Sequence, residues 1–153
     1  VHRPVVLLSS TGSPLMRKAA LSNDRVYAAC LRNVSAQVHQ LAADASHVVL
    51  LAGADKNPDT ELSSIPGMRI EDEICCALIA ARLIEHGFEA DDRTRAAAER
   101  RQSEPLDVIR NGRSAAYLAR SEQLDDLEFI LEHVDDIDTV FTIQDVEVRA
   151  AAA

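Results

Sequence analysis

Aromatic residues are scarce in this 153-residue chain, at 3% with no Trp, so its core is expected to be aliphatic and padded with Ala rather than built on rings. Cysteine is sparse too. Cys30, Cys75 and Cys76 are odd in number and lack CxxC spacing, which argues against a disulfide framework or a zinc site and leaves them as reduced, buried, small apolar residues. His2, His39, His47, His86 and His133 are scattered, with no pair at metal-ligand spacing. No apolar run approaches the roughly 20 residues of a membrane span, and the start has neither the basic flank nor the long apolar stretch of a signal peptide. The expected setting is the cytoplasm, with no membrane partner. Positive charge is also short: 16 Lys and Arg stand against 25 acids, for a formal charge of −9. A protein that tracks a phosphate backbone needs clustered cations, so no nucleic-acid partner is expected, and an anionic ligand would need locally placed donors.

What is present is globular. Hydrophobic residues make up 47% and charged residues 27%, and the length suits a single domain over 1–153. Pro4–Leu8 reads as a buried strand, Arg25–Leu31 as a second, and His47–Leu51 as a third ended by Ala52–Gly53. Between them lie helices over Ser13–Leu21, with Ser13 as N-cap and Pro14 in the first turn, and Ser35–Ala45, with Val38, Leu41, Ala42 and Ala45 on one face. The stretch after Gly53 is rich in turn formers, a long loop of the kind that is usually functional or mobile. Arg69–His86 is the clearest helix, with Gly87 as its stop. The remainder reads as mostly helical, with a last strand at Thr139–Ile143 that Val146 and Val148 extend or pair with. Strands alternating with helices give a three-layer α/β/α fold with a mostly parallel sheet and a helix-rich C-terminal half. Three strands are thin for two layers of helices and the chain opens on Val1, so a processed piece of a larger sheet is expected.

If those strands are parallel, three junctions share one sheet edge, where open α/β folds bind ligands. The first carries Thr11, Gly12 and Ser13 ahead of a helix, whose free N–H groups and dipole suit an anion; an ordinary capped turn accounts for it as well. The second carries Asn33 and Ser35, which serve equally as caps. The third ends in Gly53, small enough for close approach, with Asp55 beyond it as a surface acid. Glu71, Asp72 and Glu73 open the main helix, where its dipole favours acids without any function; the sharper reading is a divalent-cation site, with Mg²⁺ taking carboxylate and phosphate oxygens. Gly112 reads as a helix stop, and Arg113 as either a solvated charge or a bidentate oxyanion donor. Asp135, Asp136 and Asp138 read as a solvated turn.

Taken together, TGSP, CLRNVSA, LLAGAD, EDEICCA and NGRSAAYL followed by DDLEFIL resemble, in order and spacing, the 2-phosphosulfolactate phosphatase family, Mg²⁺-dependent hydrolases associated with coenzyme M biosynthesis. The resemblance spans roughly Val5 to Ile143. It implies Gly12, Ser13, Asn33, Ser35 and Gly53, with Thr11 at the altered turn position, as substrate-binding positions. It further implies Glu71 and Asp72 as catalytic and metal ligands, Arg113 as a catalytic cation, Mg²⁺ as cofactor and a small anionic phosphorylated substrate. Thr11, Pro14 and Asn111 stand where the family has Asn, Arg and His. An N-terminal Asp-x-x-Arg-type motif is missing, so the chain is expected to be the C-terminal part of such a fold, active if an N-terminal half is supplied. Two other readings stay open: a catalytically silent anion-binding or structural module, and a partner domain whose sheet a homo-oligomer or another chain completes.

Overall fold

The computed structural model describes residues 12–53, 67–144 and 147–151. Helix α3 (Ile70–Glu85) is the element around which these are arranged. It buries Ile70, Ile74, Ala77 and Ala81 on one stripe and Ile79, Ala80 and Leu83 beside it, a wider apolar surface than a surface helix carries. Its end is fixed by sequence chemistry. Phe88 N–H donates to Leu83 C=O at 3.0 Å and Gly87 N–H to Ile84 C=O at 2.9 Å, with Gly87 at φ +93°, a left-handed stop that glycine takes without strain.

Helix α1 (Gly12–Ser22) precedes strand β1 (Tyr27–Ala28), and a 3₁₀ turn (Leu31–Asn33) leads into α2 (Val34–Asp44). Val34, Val38 and Leu41 of α2 join Ile70, Ile74 and Ile79 of α3 in the main core. Helix α4 (Asp92–Gln102) starts at Asp91, whose side chain accepts the Thr94 N–H at 2.7 Å. Ala98 packs on Ala80 and Ala81, so small residues let α4 and α3 approach closely, the use made of the Ala-rich composition. A second 3₁₀ stretch (Leu106–Asn111), α5 (Arg113–Arg120) and α6 (Leu124–Glu132) add Ile109, Ala115 and Leu127 to the core. Strands β2 (Phe141–Gln144) and β3 (Glu147–Ala150) form a hairpin, with Val148 opposite Ile143 as the sequence suggests.

The expected three-layer fold with a mostly parallel sheet is overturned. The described residues are mainly helical and carry one small antiparallel sheet, ordered β1-β2-β3. The segment read as the second strand contributes only Tyr27 and Ala28 to the ladder, and β2 occupies its edge antiparallel, with Ile143 N–H donating to Val26 C=O at 2.8 Å. The third, His47–Leu51, keeps a strand's alternation, Val48 and Leu50 packing inward while Val49 and Leu51 are exposed, yet it has no ladder partner among the described residues. Pro4–Leu8 lies outside the described residues, as does Val146. Apolar patterning marks a segment as strand-like; which edge it pairs with depends on contacts distant in sequence, and here the C-terminal hairpin took the edge assigned to a parallel neighbour.

Candidate active site

A cavity of about 560 Å³ opens between the start of α1, residues 25–29, the 47–53 segment and the first turns of α3. Its size falls within the range of small-molecule sites. Gly12 lies on one wall, where α1 begins, and Asp72 on another, in the first turn of α3; Gly53 lines it as well. The helix start carries the positive end of a dipole, which favours an oxyanion there. Three of the expected positions therefore meet without the parallel edge that was to have gathered them.

Other expected positions are elsewhere. Asn33 is fully buried and structural: its Oδ1 accepts the Cys30 N–H at 2.9 Å and its Nδ2 donates to Thr139 C=O at 3.2 Å, tying the 3₁₀ turn to the approach to β2. Ser35 lines a second hollow with His39 and Asp138, apart from the main cavity. Its N–H and hydroxyl donate to Asp135 at 2.6 and 2.5 Å, and Arg82 donates to both Ser35 Oγ and Asp135. Beside it Arg32 forms a two-point pair with Asp136 at 2.8 Å and lies over the Phe129 ring. Asp135 and Asp136 are thus a clasp on the start of α2, not simply a solvated turn. Thr11 and Asp55 lie outside the described residues.

Burial raises the affinity of the Asp135 carboxyl for its proton, but the Ser35 hydroxyl and amide and the Arg82 guanidinium outweigh it and hold the carboxyl below the usual aspartate range. Its stabilisation is therefore complete above the unfolded value of about 4 and fades as pH falls through the lower folded value. Asp135→Asn should cost about 0.5–2 kcal/mol near neutrality, as loss of a helix cap does. Asn also tolerates the left-handed backbone at this position, φ +59°. Melting followed against pH should show parent and variant converging in acid; a gap unchanged down to about pH 3 would contradict a charge-based role.

Glu71 and Asp72, neighbours on a helix, face different surroundings. Asp72 lines the cavity, while Glu71 Oε1 accepts the Ser114 hydroxyl near Gly112 and Arg113. Among the described residues Glu71 Oε2 is buried with no hydrogen-bond partner, so a carboxylate oxygen stands ready for a cation or a donor. Either carboxylate suits magnesium in donor chemistry, since that ion takes one or two carboxylates and completes its shell with water and phosphate, but of the two only Asp72 lines the cavity. No group of three or more His, Cys, Asp or Glu that could hold a metal occurs among the described residues. Arg113 opens α5 beside Ser114 and does not line the cavity among the described residues.

Gly112 is fixed by space, not by backbone freedom, for its φ is −76°. A Cβ there would meet Ile70 Cγ2 at 2.5 Å and Ile109 O at 3.2 Å. Gly112→Ala is expected to destabilise by about 1–3 kcal/mol and to disturb the seat of Glu71, measurable as a lowered denaturation midpoint.

Cys76 also lines the cavity, but burial, then the charges of Asp72 and Glu73, push its thiol up to about 11. Burial, chiefly, raises Cys75 further, so neither is a thiolate nucleophile near neutrality. Cys30, expected to be buried, is exposed. Sequence reasoning missed Gln37, which lines the cavity from α2. The signal was available: 34, 37, 38 and 41 are the i, i+3, i+4, i+7 positions of a buried face, and Gln37 is the polar one.

The family model of 2-phosphosulpholactate phosphatase matches residues 2–146, nearly the whole chain rather than one stretch of it. The chain belongs to the 2-phosphosulpholactate phosphatase family. No curated protein and no solved structure gives a significant match. Among the described residues, no helix of this family member is long and apolar enough to cross a membrane.

Proposed function

We propose that the chain hydrolyses a phosphomonoester of the 2-phosphosulfolactate type with Mg²⁺, releasing phosphate and sulfolactate, the step in coenzyme M biosynthesis that the resemblance implies. The observation that carries this reading is the shared cavity of Gly12, Gly53 and Asp72 in a chain of this family. The positive end of the α1 dipole, at Gly12, favours the phosphoryl oxygens, and Gly53 leaves room for the substrate beside the 47–53 segment. Asp72, with Glu71, would hold magnesium, which when bound neutralises charge on the phosphoryl oxygens. Water supplies the oxygen of the new P–O bond as the ester P–O bond breaks, and the departing alkoxide takes a proton. Phosphoryl transfer of this kind depends mainly on positioning and charge neutralisation.

The test is phosphate release from 2-phosphosulfolactate, and from a generic phosphomonoester, with Mg²⁺ and with a chelator. Release that requires Mg²⁺ and favours 2-phosphosulfolactate is expected. Binding without turnover would favour the silent module, for which the altered Thr11, Pro14 and Asn111 speak.

A further inference from the structure

Gln37 has a polar side chain where α2 otherwise buries Val34, Val38 and Leu41. It is 2% exposed, and among the described residues neither its Oε1 nor its Nε2 has a hydrogen-bond partner. Buried amides are nearly always satisfied, because leaving donor and acceptor unmade forfeits the bonds they had with water. The side chain lines the cavity that holds Gly12, Gly53 and Asp72, and around it Leu41, Val48, Ile79 and Ile143 are apolar. The cavity is the space beside it that a partner molecule would occupy.

An amide presents one acceptor and two donor hydrogens, and both ends are unmatched. Phosphate, sulfonate and carboxylate, when fully ionised, offer acceptors alone and would leave Oε1 unmet. A hydroxyl both donates and accepts. On the phosphatase reading, which this inference rests on, the ester oxygen becomes such a hydroxyl when the P–O bond breaks. We propose that Gln37 is a specificity residue that binds the hydroxyl of the hydroxy-acid product, accepting its hydrogen at Oε1 and donating to its oxygen from Nε2. Water offers the same chemistry, so the experiment has to separate the two.

Sulfolactate and 3-sulfopropionate differ by that hydroxyl alone. Their affinities for the full chain, measured by calorimetry with Mg²⁺ and inorganic phosphate present, should favour sulfolactate by tenfold or more. Gln37→Met and Gln37→Leu should abolish the preference while leaving the unliganded melting temperature unchanged or higher, since an apolar side chain of similar size removes two unmet polar groups. A preference kept in both variants would overturn the inference, as would a parent that binds neither compound or binds both equally. A marked fall in unliganded stability in both variants would show the amide satisfied by a fixed internal water, and would overturn it as well. Sulfolactate preference in a parent that releases no phosphate would sink the phosphatase reading alone.

Discussion

Arg101→Leu is expected to destabilise the protein by about 3–5 kcal/mol, the largest single effect anticipated outside the hydrophobic core. Arg101 on α4 and Glu73 on α3 are both buried, with side chains 4% and 2% exposed. The guanidinium meets the carboxylate at two points, Nε to Oε1 at 3.2 Å and Nη2 to Oε2 at 3.0 Å, and also pairs with Glu104. Forming such a pair gains little over packed hydrocarbon, because two charges must leave water. Breaking it is another matter. Removing Arg101 takes the two-point partner from the buried Glu73 charge, and Arg100 stands farther off, at 3.7 Å. Urea denaturation should show a large drop in midpoint, and Glu73→Met combined with Arg101→Leu should recover most of it. A single variant within about 1 kcal/mol of the parent would contradict the account. The pair also bears on function, since Glu73 sits in the same helical turn as Glu71 and Asp72.

Asp72→Asn should lower phosphate release by two to three orders of magnitude, about 3–4 kcal/mol of transition-state stabilisation, and remove its dependence on Mg²⁺. Asparagine keeps the shape and loses the charge that a hard cation requires. Glu71→Gln should also weaken Mg²⁺ dependence, though less, because Glu71 faces Ser114 and, among the described residues, does not line the cavity. Melting temperatures near that of the parent would show that the losses are chemical. Unchanged Mg²⁺ dependence in Asp72→Asn would remove that residue from the mechanism.

Local chemistry made much of the helical framework legible. Gly87 marked the end of α3, Pro14 fell in the first turn of α1, and the apolar stripe of α2 was visible apart from Gln37. The sheet was not legible. Tyr27–Ala28 and His47–Leu51 both look like strands, yet one pairs with a hairpin more than a hundred residues later and the other has no described ladder partner, a choice made by long-range contacts. The site divided along the same line. Gly12, Gly53 and Asp72 were identified by their places at element ends, and they do share a cavity. Asn33 and Ser35 also sit at an element end, but their polar atoms are engaged by Thr139, Asp135 and Arg82. A cap and a ligand contact use the same residue types, and the acceptors that decide between them lie about a hundred positions away in sequence.

The central claim is that substrate lodges between the start of α1 and the first turn of α3. Its most direct test is a titration of ¹⁵N-labelled protein with Mg²⁺, sulfolactate and inorganic phosphate, followed amide by amide. Saturating shifts at Gly12, Gly53 and Asp72, with Ala36 and His39 of the second hollow unmoved, are the predicted result. Shifts confined to Ala36, His39 and their neighbours, with Gly12, Gly53 and Asp72 silent, would contradict it.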